Sequence, residues 1–163
     1  MKSNNAMGAV LLLFAVASVA YMGLRETGIA GEAIDTSIKR KDVVIAVEGV
    51  EPRVVVYFFY GDIHCSTCAN LQKYALEALE EHFAAEFESG ELQWRTLNMD
   101  KPENEHSVMD YGLYSKSVVL VAMADGEEAA FRNLEEIWDL EYDQKLYAEY
   151  IRSNTREFLD MQR

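Results

Sequence analysis

The chain has 163 residues, half of them hydrophobic, with two prolines, nine glycines and a formal charge of −13 at pH 7. That length suits one domain with an appendage and is too short for two, and the composition carries no sign of a repeat array or a low-complexity tract. The acidity weighs against nucleic acid as a partner, because phosphates demand a basic surface, and against adhesion to anionic lipid headgroups.

In chain order, Lys2 precedes an uncharged apolar run from Ala6 to Leu24, and the next charges are Arg25 and Glu26. The run approaches the ~20 residues of a transmembrane helix and has no polar face at the 3.6-residue period. Residues 1–25 therefore read as a membrane anchor or a signal peptide. Ser18-Val19-Ala20 offers the small-x-small pattern of a cleavage site, whereas continuation through Tyr21, Met22 and Leu24 favours an uncleaved anchor. On the first alternative the rest is secreted. On the second it is held by a single pass at the cell membrane, on the extracytoplasmic (periplasmic) side.

Residues 26–52 read as a linker, with Gly28, Gly31, Gly49 and the cluster Lys39-Arg40-Lys41. Within it, residues 42–47 predict a short edge strand and residues 48–52 a turn. Residues 53–163 form the predicted domain. Val54 to Tyr60 is a run of β-branched and aromatic residues without polar alternation, the pattern of a strand buried on both faces. From Cys68 to Phe87, the apolar residues Leu71, Ala75, Leu79, Phe83 and Phe87 recur every fourth position and predict one helix, ended by Ser89-Gly90.

Leu92 to Met99 predicts a second strand, and Asp100 to Tyr111 a short helix entered through Pro102. Ser117 to Met123 predicts a third strand, residues 124–127 a hairpin turn, and residues 128–132 a fourth strand. A closing helix is expected over 134–159, burying Leu146, Tyr150, Ile151, Phe158 and Leu159. The fold class is thus α/β, a central four-stranded mixed sheet with helices on both faces. A right-handed crossover puts the loop after the first long strand at the carboxyl edge, where open α/β sheets place their sites.

That loop carries the only two cysteines, Cys65 and Cys68, three positions apart at the first turn of a helix. Thiolate is the reactive form of cysteine, and the positive end of a helix dipole stabilises it. Cys65 is the expected nucleophile, and Cys68, one turn on, the resolving thiol. Asp62, His64, Ser66 and Thr67 are the neighbours expected to tune the pair. An inert staple is the first alternative, although so short a loop removes little unfolded-chain entropy. The second is copper or zinc held by His64, Cys65 and Cys68. A closed zinc site wants a fourth ligand, which His82 or His106 would supply only if folding brought it near.

Elsewhere the seven methionines and the tyrosines of the closing helix read as packing residues. No phosphate loop, hydrolase elbow or zinc-protease helix is present, and no cofactor is called for.

The strand leading to Cys65-Ser66-Thr67-Cys68, the stretch Leu97-Asn98-Met99-Asp100 followed by Glu103-Asn104, the third strand with Asp125-Gly126, and the closing helix together resemble the thioredoxin superfamily. Tyr57-Phe58-Phe59-Tyr60-Gly61, His64 before the cysteine pair and the N-terminal apolar run resemble the ArsF-type family of membrane-anchored bacterial thioredoxin-like proteins. The resemblance implies a thiol-disulfide oxidoreductase acting on protein thiols or disulfides, renewed by a membrane electron donor of the cytochrome-c-biogenesis type.

The chain departs from the superfamily pattern in three places. The expected cis-proline of the substrate groove falls at Ser117 or Val118. The buried acid six residues before the first cysteine is Phe59. The usual tryptophan is His64, which when protonated would favour the Cys65 thiolate.

Overall fold

A computed structural model describes residues 43–63 and 65–161. The expected anchor or signal over 1–25, most of the linker before Val43, and His64 lie outside the described residues. No helix among the described residues is long and apolar enough to cross a membrane.

Five strands, β1 (Val44–Ile45), β2 (Val54–Tyr60), β3 (Leu92–Asn98), β4 (Ser117–Ala124) and β5 (Glu127–Asn133), form one mixed sheet in the order β1-β3-β2-β4-β5. The predicted edge strand therefore joins the sheet, which has five strands where four were expected. β1 runs antiparallel to β3, with Val44 opposite Arg95, and the Thr96 amide donates to the Val43 carbonyl at 2.9 Å.

β2 lies at the centre, parallel to β3 and antiparallel to β4. Its uninterrupted apolar sequence follows from that place, for six of its seven residues are buried and Tyr57 is half-buried. The β4–β5 turn is Asp125-Gly126, with φ of 53° and 80°. Those values are the left-handed pair a two-residue hairpin needs, and they account for glycine at 126.

The helices are α1 (Ser66–His82), α2 (Ala84–Ser89), α3 (His106–Asp110) and α4 (Gln144–Met161), with 3-10 turns at Pro102–Asn104 and Glu135–Trp138. Three expectations are corrected. The helix expected to reach Phe87 breaks at Phe83, whose backbone (φ −133°, ψ 30°) leaves the helical region while its ring stays fully buried. A strict four-residue stripe drifts about 40° around a helix per step, so a straight helix would carry Phe83 and Phe87 off the buried face; the break re-aims the chain. The segment after β3 is two short pieces, a 3-10 turn and α3, where one helix was expected.

The closing helix is also two pieces. Asp143 starts α4 by accepting from the amides of Lys145 and Leu146, both at 3.1 Å, the bonding of an N-cap. Its buried face is Tyr147, Ile151, Thr155, Phe158 and Leu159, while Leu146 is exposed and Tyr150 half-buried.

The main core joins one face of the sheet (Val54, Val56, Phe58, Trp94, Leu120) to Leu71, Ala75 and Leu79 of α1 and Tyr147, Ile151 and Phe158 of α4. Phe58 and Trp94 stack there with ring centroids 6.1 Å apart. On the opposite face Phe59, Val119 and Val121 meet Tyr111 and Leu113, which follow α3, and no long helix lies there among the described residues. The asymmetry fastens α1, and with it the cysteines, to the side of the sheet that carries the larger core.

Candidate functional site

β2 ends at Tyr60, and the chain turns through Gly61, Asp62 and Ile63 toward α1. The turn is held from the end of β3. The Asp62 amide donates to Asp100 Oδ2 at 2.6 Å, Asn98 Nδ2 to Asp62 Oδ1 at 2.8 Å, and the Asp100 amide to Asn98 Oδ1 at 3.0 Å. Gly61 is buried beneath this lattice, and a Cβ there would stand 2.6 Å from Asp100 Oδ2. Glycine is required by close approach, and Asp62 is a member of the loop's hydrogen-bond frame.

Cys65 is exposed and caps α1 from an extended backbone (φ −137°, ψ 153°), its Sγ accepting from the Cys68 amide at 3.1 Å. A sulfur so placed sits against the free amides and positive end of a 17-residue helix. Cys68 is 2 % exposed, one of the buried residues of α1. The two are joined as a disulfide with Cα atoms 5.3 Å apart. One sulfur thus faces solvent while its partner is enclosed by protein, the division an attacking and a resolving cysteine require. Ser66 is exposed and Thr67 half-buried in the same first turn.

The sequence reading missed Lys116. It immediately precedes β4, is 8 % exposed, and places Nζ 3.1 Å from Cys68 Sγ while also donating to the Ile63 carbonyl. Its own carbonyl accepts from Trp138 Nε1 at 2.9 Å, which fixes the backbone beside the disulfide. No motif flags it; its one sequence signal is its place just before the third long strand.

Lys116 also lines a cleft of about 280 Å³ with Ile63, Met99, Asp100, Ser115 and Trp138. Ser117 and Val118, the residues expected at the groove, are buried within β4 opposite Phe59 and Phe58, whereas Ser115 and Lys116, just before β4, line the cleft. Ile63, also in the lining, stands 80 % exposed, an apolar edge to the cleft.

For a metal centre, the described residues contain no cluster of three or more His, Cys, Asp or Glu side chains, and His64 lies outside them. His82 closes the far end of α1, about 25 Å along the axis from its start, too far to join Cys65 and Cys68. His106 is paired instead with Asp110, Nδ1 to Oδ2 at 2.8 Å. The ammonium beside Cys68 opposes a divalent ion there by like charge.

No protein-family model matches the chain, and no curated protein matches it. It is similar to a solved structure described as "Structure of a malarial protein", at 14 % identity and a TM-score of 0.33, over 49 % of this chain and 79 % of that one. That likeness is too slight to bear on fold or function.

Proposed function

We propose that this protein performs thiol-disulfide exchange in a thioredoxin-like domain, with Cys65 attacking and Cys68 resolving. One observation carries the reading: an exposed cysteine at a helix N-terminus, bonded to a buried cysteine one turn on, at the carboxyl end of the central strand. The strand order, with β2 between a parallel and an antiparallel neighbour, supports the thioredoxin-like part. A staple would gain little from closing so short a loop, and it would not need one sulfur open to solvent.

The proposed setting is extracytoplasmic, with the apolar run before Arg25 as anchor, protein thiols or disulfides as substrates, and a membrane electron donor renewing the dithiol. Ser66 and Thr67, which share the first helical turn with the sulfurs, are proposed to tune the couple together with His64. Asp62 would act through the loop frame it helps to hold.

The test is the potential of the Cys65/Cys68 couple in the full-length chain, equilibrated in metal-free glutathione or dithiothreitol buffers. A reversible two-electron transition between roughly −270 and −120 mV, the span of known exchange catalysts, is expected. In the same assay Cys65→Ser should abolish exchange and Cys68→Ser should trap mixed disulfides with partner proteins. A pair that stays oxidised in buffers poised below about −300 mV would mark an inert staple and refute the reading.

A further inference from the structure

Phe59, six residues before Cys65 where the resembled superfamily carries a buried acid, is fully buried and apolar, and it lies on the sheet face opposite α1. A thiol enclosed as Cys68 is should resist ionisation, because burial disfavours the charged form. Internal attack nevertheless needs Cys68 as thiolate. The side chain that meets its sulfur is Lys116, held by the Ile63 carbonyl with Nζ 3.1 Å from Cys68 Sγ.

We propose that the Lys116 ammonium stabilises the Cys68 thiolate and so makes the buried sulfur competent both as internal nucleophile and as leaving group. The inference rests on the exchange reading above. When a partner disulfide is reduced, the Cys65 thiolate attacks one partner sulfur, the partner S–S bond breaks, and the other partner sulfur leaves as a thiolate that water protonates. Cys68, its proton already released to solvent, then attacks Cys65 Sγ. The Cys65–Cys68 bond forms, the mixed disulfide breaks, and the second partner sulfur leaves with the electron pair and takes a proton from water. The partner gains two electrons and the protein dithiol loses two.

In the reverse direction a partner thiolate attacks Cys65 Sγ and Cys68 departs as thiolate, against the same ammonium. One cation serves both directions because the same sulfur carries the charge in each.

Among the described residues, the other ionisable groups of the site are Cys65 at the start of α1, Asp62 in the preceding turn, and Asp100 from the end of β3, which lines the same cleft as Lys116; His64, beside Cys65 in sequence, lies outside them. The two carboxylates bind the loop, Asp62 accepting from Asn98 and Asp100 from the Asp62 amide. Their charge works against a thiolate, in the opposite sense to the ammonium.

The experiment titrates Cys68 alone, in full-length Cys65→Ser, by thiolate ultraviolet absorbance and by alkylation rate against pH. A midpoint below the ordinary cysteine value of about 8.5 is expected. Adding Lys116→Met should raise it by roughly one unit, a tenfold loss of thiolate near neutral pH, and Lys116→Arg should restore most of it. In the two-cysteine protein, Lys116→Met should slow release of the mixed disulfide by roughly three- to fourfold, the tenfold loss of thiolate being partly offset by the greater nucleophilicity of a more basic sulfur, and should lower the potential of the couple.

A Cys68 midpoint at or above the ordinary value in Cys65→Ser overturns the proposal without any lysine variant, and so does a midpoint that Lys116→Met leaves in place. The titration needs no substrate, so it distinguishes failure of the lysine's role from failure of exchange itself, which the potential of the unaltered chain reports.

Discussion

Replacing Gly61 with alanine tests whether the loop before Cys65 is held as the hydrogen bonds describe. The backbone at Gly61 is not left-handed, so alanine meets no conformational barrier there, and by restricting the unfolded chain it should add about 0.4–1 kcal/mol of stability. The added Cβ, however, would stand 2.6 Å from Asp100 Oδ2, and the carboxylate must move. Moving it breaks the bond from the Asp62 amide, at 2.6 Å on an exposed surface. A hydrogen bond to a charged acceptor contributes about 1.5–3 kcal/mol, and solvent exposure puts this one at the lower end.

The net expectation is a loss of about 0.5–1.5 kcal/mol for Gly61→Ala. In an Asp100→Ala background the obstacle is gone, and the same substitution should be neutral or stabilising, leaving a coupling of about 1–2 kcal/mol between the two positions. Urea unfolding of the oxidised full-length chain in the four members of the cycle measures it. Equal cost of Gly61→Ala in both backgrounds would refute the close-approach argument and the loop frame built on it.

Two further predictions concern the scaffold. Leu79, fully buried where α1 faces the sheet and α4, should cost about 2–5 kcal/mol on truncation to alanine; a loss under about 1 kcal/mol in denaturant melts would show that α1 is not packed as described. Burial pushes the ionisation of Tyr147, whose hydroxyl donates to the Leu71 carbonyl at 2.8 Å, to higher pH. It does the same for Tyr111, which donates to Glu128 at 2.6 Å. A raised phenol favours the neutral folded form, so this stability is complete below the ordinary value near pH 10 and is lost as pH rises above it. Tyrosinate absorbance should therefore show a late fraction that ionises together with loss of circular dichroism, and complete ionisation of a still-folded protein would contradict the two hydrogen bonds.

Sequence pattern made the interior legible wherever one force dominated. β2 was bounded from its run Val54 to Tyr60 because a central strand must be apolar on both faces, and Asp125-Gly126 located the hairpin because few residues accept its backbone. The break at Phe83 was hidden, since an apolar residue at the right spacing looks the same whether its backbone continues a helix or leaves it. The start of α4 was hidden for the opposite reason: Asp143 is a good N-cap, but Leu134, Ile137 and Leu140 upstream keep a helical rhythm that the 3-10 turn shares. The edge strand showed as a short apolar run, but its pairing with β3 depends on a partner about fifty residues away, which no local pattern encodes.

At the cysteines the same contrast holds. Cys65 and Cys68 were legible because a cysteine pair at a helix start shows in its spacing, whereas Lys116 reaches Cys68 across a separation of 48 residues, set by the antiparallel pairing of β4 with β2. That pairing bears on the chemistry. The free amides at the start of α1 stabilise an anion on Cys65, and the ammonium beside β4 stabilises one on Cys68. Both act on the reduced dithiol and neither on the neutral disulfide, so both make the disulfide the stronger oxidant. Burial of Cys68 and the Asp62 and Asp100 carboxylates act in the opposite sense. The couple's potential is therefore a balance struck across the sheet, between a helix end fixed by local sequence and a lysine delivered by topology, and a change on either strand edge should move it without touching a cysteine.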